Sequence, residues 1–218
     1  MTQTQPNIDF PIQWLFKFLQ KPLQTHLNTS KNLLKFTNGT ENLSICYNCK
    51  GLTNGLQPIG YYNNDFTDNR KSFKSTYNYI FKFAGGPINW KSKRTSTITL
   101  STLEVKIDAF IERIRKVSWI VGLFRKLKRP ISRLIVLYSD STNAITTAHD
   151  PALHSRTKHT LLKYYYVRKQ VKQRLIEVTY LDTKRMPADG LTKPLNSHLY
   201  SKFLGLLGLE PKPTELRT

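Results

Sequence analysis

Asp140 is the residue whose setting most resembles a place for chemistry. It follows an uncharged run, Leu134-Ile135-Val136-Leu137-Tyr138, rich in the β-branched and aromatic types of a strand buried on both faces. Ser141 or Thr142 then stands where it would cap a helix. An Asp between a central strand and a helix N-terminus is where α/β folds hold metal ions or handle phosphate. The same Asp would also serve as a plain N-cap, and spacing alone leaves both readings open. Cys46 and Cys49 form one C-x-x-C. With no second pair and no histidine partners nearby, they read as structural thiols, and their small number suits a reducing compartment.

The elements that would position Asp140 follow from periodicity. Ile12, Leu15, Phe16 and Leu19 recur at helical spacing until Pro22, and a second helical segment runs Leu27–Phe36 to Asn38-Gly39. A short strand, Leu43–Tyr47, follows; these pieces cannot bury a core alone. Pro58–Tyr62 reads as a strand leading into Asn63-Asn64-Asp65, with a loop over Asp65–Lys71. Tyr77–Phe83 and Ile88–Trp90 read as a hairpin turning on Gly85-Gly86. Ser101–Glu104 has capping-box spacing before a long helix that would send Ile107, Phe110, Ile111, Ile114, Val117 and Trp119 to the core. After the central strand come a helix to about Ala148, a basic segment His154–Lys172, a strand over Leu175–Leu181, and a last short element opened by Pro187-Ala188-Asp189-Gly190. Phe203, Leu204, Leu206, Leu207 and Leu209 suggest a final helix packing back. Strands alternating with helices in this order give an α/β fold.

Composition fixes the class of partner. The 218 residues carry a formal net charge of +20, with 11 Phe, 11 Tyr and 3 Trp and 39% hydrophobic residues. That is enough apolar material for a core, and the basic excess interleaved with tyrosine favours nucleic acid. No apolar run approaches the length of a membrane span and no signal-peptide core is visible, so the expectation is a soluble intracellular protein with no membrane partner.

Several strings then resemble one family. Gly60-Tyr61 through Phe66, Lys74-Ser75-Thr76, Gly85 through Lys93, Ser101-Thr102-Leu103-Glu104, Tyr138-Ser139-Asp140, His154-Ser155-Arg156-Thr157-Lys158-His159 and Ala188 through Leu195 fall in the order and spacing of the ribonuclease H domain of copia-type LTR-retrotransposon Pol polyproteins. The His-x-Arg-Thr-Lys-His and Ala-Asp-x-x-Thr-Lys-Pro-Leu strings are highly specific to that group. Asn7 through Phe10, Pro22, His26 and Lys31 to Thr40 resemble the end of the same polyproteins' reverse transcriptase. No polymerase palm is expected in this chain.

The resemblance implies an α/β, ribonuclease H-like fold: a five-stranded mixed sheet flanked by helices, with a small helical N-terminal appendage. It implies three regions, a reverse-transcriptase remnant over 1–55, the ribonuclease H-like domain over 56–197 and a C-terminal helix and tail over 198–218. The family's chemistry is hydrolysis of the RNA strand of an RNA–DNA hybrid by two divalent ions, Mg²⁺ or Mn²⁺, held by four carboxylates. Two of those carboxylates fall on Asp140 and Asp189. The other two fall on Asn63 and Lys106, because Glu104 matches an earlier, non-ligating glutamate. One net negative charge then stands where the family has four. At an effective dielectric near 20, an ammonium about 4 Å from a dication is repelled by several kcal/mol. Rescue is not expected: Asp65 lies roughly 6–7 Å further along the strand, and Glu104 points about 200° around the helix from position 106. Asp68, Asn69 and Asn78 also depart from the pattern and read as drift.

His154, Arg156, Lys158, His159, Arg168 and Lys169 would lie near the site and suit phosphate contacts, although a charge run is often no more than a solvated face. Thr192-Lys193-Pro194 reads as the end of the last helix. The expected partners are RNA–DNA hybrid or RNA, and components of element-derived virus-like particles. The expected location is cytoplasmic, nuclear or within such particles. The expected state is a pseudoenzyme with little or no nuclease activity and doubtful metal occupancy; the alternative is a non-catalytic nucleic-acid-binding relic of a transposable element.

Overall fold

The computed structural model describes residues 4–48, 56–65, 76–94, 102–129, 131, 134–142, 165–167, 169–170, 173 and 175–212, with the backbone alone at 64–65, 76, 94 and 102–107. Its centre is a five-stranded mixed sheet. In chain order the strands are β2 (Ile59–Asp65), β3 (Thr76–Phe83), β4 (Gly86–Arg94), β5 (Ile135–Ser139) and β6 (Ile176–Tyr180); the sheet order is β4-β3-β2-β5-β6. β3 pairs antiparallel with both β2 and β4, while β5 pairs in parallel with both β2 and β6. This is the ribonuclease H-like arrangement that the sequence implies. Hairpin β3–β4 turns on Ala84-Gly85, both with positive φ, rather than on Gly85-Gly86. A two-residue turn of that hand matches strand twist, so the residues flanking the loop are Phe83 and Gly86.

Strand alternation divides two apolar layers. Tyr62, Tyr79, Phe81, Leu137 and Val178 face the long helix α3 (Thr102–Lys126), which contributes Phe110, Ile114, Val117 and Ile120. Ile80, one residue out of phase, meets Leu191, Phe203, Leu207 and Leu209 on the opposite face. Trp119 corrects the sequence reading: it is 53% exposed, with Lys116 over its ring, and Ile120 takes the core position. Two residues beyond Val117 is about 200° around the helix, so Trp119 leaves the stripe.

The N-terminal segment forms helices α1 (Asp9–Phe16) and α2 (Gln24–Gly39) and the short strand β1 (Leu43–Ile45). β1 pairs antiparallel with β7 (Leu209–Pro211), which follows the C-terminal helix α4 (Ser197–Leu207). The close of the N-terminal segment and the C-terminal end of the described chain are therefore joined in one small sheet. Leu209 belongs to β7 rather than to the final helix. Gly208 makes this corner possible: its φ is +78°, and a Cβ there would stand 2.5 Å from the Gly85 carbonyl oxygen. Among the described residues, no helix is long and apolar enough to cross a membrane.

Candidate functional site

Asn63, Asp140 and Asp189 come from three separate elements on one face of the sheet. β2 continues through Asn63 to Asp65, past the point where the sequence suggests a loop, and carries Asn63 opposite Asn78 of β3. Asp140 is the residue directly after β5. Asp189 sits in a 3-10 turn, Pro187–Leu191, that lies against β2 and β3, not at the start of the last helix.

That turn is held down by the sheet beneath it. The Ser92 hydroxyl donates to the Leu191 carbonyl at 3.1 Å. The fully buried Asn78 amide, turned so that its nitrogen donates, reaches the same carbonyl at 3.1 Å and the Ser92 hydroxyl at 2.8 Å. Asn78 thus closes the hydrogen bonding of a buried carbonyl and is no drifted position. From above, α4 presses on the turn at Gly190, where a Cβ would meet the Phe203 ring at 2.3 Å. Ser92 is itself tied back to α1, because its backbone N–H donates to Asp9 Oδ2 at 2.6 Å. Burial raises the Asp9 carboxyl to about 6, against the opposing effects of this hydrogen bond and of Lys91.

The carboxylates have distinct neighbours. Asn63 Nδ2 donates to Asp189 Oδ1 at 3.2 Å, and Lys193 Nζ pairs with Asp189 Oδ2 at 2.9 Å. Thr192 Oγ1 donates to the Asp189 carbonyl at 2.7 Å. Asp140 accepts from Thr183 Oγ1 at 3.3 Å, in the turn after β6. Burial raises the Asp140 carboxyl above its ordinary range; hydrogen bonds from its own backbone and Thr183 oppose this, the Asp189 charge adds to it, and Lys193 offsets it. Asp140 and Asp189 therefore share one electrostatic neighbourhood.

Lys193 was missed in the sequence, where it reads as the end of a helix. The available signal was its i,i+4 spacing from Asp189. The side chains of Lys106 and Glu104 lie outside the described residues, as do His154, Arg156, Lys158, His159, Arg168 and Cys49. Lys169 is described and exposed. Among the described residues no cluster of three or more His, Cys, Asp or Glu has the arrangement of a metal site.

Comparison with known proteins gives a consistent set of relatives. The chain is 30% identical over 210 residues to the retrovirus-related Pol polyprotein from transposon RE1 of Arabidopsis thaliana, a match that covers 96% of this chain and 14% of the polyprotein. It is 29% identical over 211 residues to the Pol polyprotein from transposon TNT 1-94 of Nicotiana tabacum, covering 96% and 15%. A third relative, the secreted RxLR effector protein 161 of Plasmopara viticola, is 27% identical over 128 residues, 59% of this chain and 88% of that protein. The chain thus spans about a seventh of the polyproteins it matches. No family model matches. Among solved structures, LC11 RNase H1 bound to an RNA/DNA hybrid aligns at 12% identity and a TM-score of 0.40, over 62% of this chain and 93% of that one. The sheet order described above, not this superposition, carries the fold.

Proposed function

The chain belongs with the copia-type retrotransposon Pol polyproteins and has a ribonuclease H-like fold; on that premise we propose that it is a nucleic-acid-binding domain whose hydrolytic centre no longer works. One observation carries the reading, the hydrogen bond from Asn63 to Asp189. A carboxylate accepts only, so the amide must present its N–H₂ to Asp189 and turn its oxygen elsewhere. The position where the family pattern has a bridging carboxylate is occupied by a donor.

The donor set does not fit a pair of divalent ions. Hard cations want several oxygen ligands, and here Asp189 meets an amide N–H on one oxygen and an ammonium on the other. Lys193 belongs to the Thr-Lys-Pro-Leu string shared with the family, so the departures that matter are Asn63 and Lys106. At the second of these positions the family resemblance implies a carboxylate, and Lys106 has a cation there instead. The expected partner is an RNA–DNA hybrid or RNA, supported by the charge of +20 and by the kind of polyprotein to which the chain is related. Residues 1–55 would be the reverse-transcriptase-derived connection, 56–197 the ribonuclease H-like unit and 198–218 its closing helix and tail.

A fluorogenic hybrid-cleavage assay in Mg²⁺ and in Mn²⁺ tests this. No turnover above buffer is expected. Clear turnover that disappears in Asp140→Asn would overturn the reading.

A further inference from the structure

Next to the carboxylates is a recess of about 200 Å³ whose rim no part of the proposed hydrolytic centre explains. Three elements bring lysines to it: Lys184 from the turn after β6, Lys193 from the exit of the 3-10 turn, and Lys202 from α4. Asp189 is its acidic lining residue, already paired with Lys193. Neither Lys184 nor Lys202 has an ion-pair partner among the described residues. Three ammonium groups around one carboxylate leave an excess of two positive charges in a small volume. Like charges gathered this way favour an anion among them, most strongly at low salt.

The shape of the recess narrows the anion. Beside the lysines its lining is partly apolar, with the exposed Leu199 and the buried Phe203 among the lining residues. Thr183, whose hydroxyl donates to Asp140, forms part of the same wall. The cationic rim is therefore continuous with the carboxylate site. An ammonium has three donors and Lys193 spends one on Asp189, so further donors remain for a second acceptor. A phosphodiester offers one negative charge and unesterified oxygens to the lysines, while its sugar can rest against the apolar part of the lining. An apolar carboxylate or a bare inorganic anion would use only half of these features.

We propose that Lys184, Lys193 and Lys202 form a phosphate subsite that holds the backbone of a nucleic-acid strand beside Asp140 and Asp189. The proposal rests on the nucleic-acid reading above and adds the contact that would set the strand's register. It needs no hydrolysis, so it applies whether or not the centre cleaves.

The test is salt-dependent binding of the full chain to a short RNA–DNA hybrid. Lys184→Gln with Lys202→Gln should weaken binding about tenfold at low salt and reduce the slope of log K against log salt by roughly two, about one for each phosphate-contacting lysine. Lys31→Gln with Lys35→Gln, two exposed lysines of α2, removes the same charge at a distance and should change the affinity less than about twofold. Lys184→Arg with Lys202→Arg should keep it. Hybrid binding by the wild type with equal losses in the two glutamine pairs would overturn the subsite while leaving the nucleic-acid reading intact. Absence of wild-type binding at low salt would overturn both. Displacement of hybrid by submillimolar adenosine monophosphate, lost in the Lys184/Lys202 pair, would assign the recess to a free nucleotide instead.

Discussion

Asn63 and Asp189, 126 residues apart in sequence, meet through one hydrogen bond of 3.2 Å, amide to carboxylate. It joins β2 to the 3-10 turn, at two positions where the family resemblance implies carboxylates. Two such carboxylates would repel and require a cation between them. The amide removes that requirement and supplies the donor itself.

Restoring the acidic pattern should therefore restore a need for metal. Asn63→Asp with Lys106→Glu is expected to lower thermal stability in EDTA and to regain it in millimolar Mg²⁺, because an ion bound only by the folded state stabilises by mass action. The wild type should show no Mg²⁺-dependent shift in melting temperature. Hybrid cleavage should be measurable in the double variant and absent in each single change. A double variant indifferent to Mg²⁺ would show that the two positions do not complete a metal site.

One part of this site is legible in the sequence for a physical reason. The position of Asp140 directly after an uncharged strand is readable from residue types, whereas its nearness to Asp189 and Asn63 is implied only by the family resemblance. The parts that were not legible depend on contacts between distant segments. Arg113 sits three residues beyond Phe110, in the core stripe of α3, and is 1% exposed with its guanidinium 4.3 Å from the Tyr62 ring centroid. Burial lowers its pKa to about 10. An arginine is so seldom fully buried that periodicity alone does not nominate it. Asn78 looked like drift because its partner, the Leu191 carbonyl, comes from 113 residues later on the chain. Lys193 looked like the end of a helix because no helix is needed for its pairing with Asp189.

Asn78 should be costly to remove. Asn78→Ala would leave a cavity and strip one donor from the Leu191 carbonyl, which then relies on Ser92 alone. The expected loss is about 1–3 kcal/mol, from an under-satisfied buried carbonyl and from lost packing. Urea denaturation measures it. A loss below about 0.5 kcal/mol, the usual range for a surface change, would mean that the turn does not depend on Asn78.

The turn's other support is steric. Gly190→Ala drives a methyl into the Phe203 ring, and overpacking of this kind costs about 1–3 kcal/mol. Phe203→Leu in the same chain should return part of that loss, giving a double-mutant coupling of about 1 kcal/mol. Additive effects of the two substitutions would place the strain elsewhere.

Asp9 gives the pH dependence a sign. Its carboxyl titrates near 6 in the folded chain and near 3.8 when unfolded, so between these values the folded state holds more proton. Stability contributed by this group therefore falls as pH rises from about 4 to 6 and is restored as pH drops. A shift of about two units corresponds to roughly 3 kcal/mol at neutral pH. Asp9→Asn keeps an oxygen for the Ser92 N–H without carrying the charge. At pH 7 the variant should match or exceed the wild type, and its advantage should shrink as pH falls from about 7 to 4. Asp9→Ala leaves the Ser92 N–H without its acceptor and should be destabilised by about 1–3 kcal/mol at pH 7 relative to Asp9→Asn. Urea unfolding at several pH values separates these outcomes: a difference between Asp9→Asn and wild type that stays constant with pH would show that the carboxyl titrates alike in the folded and unfolded chains.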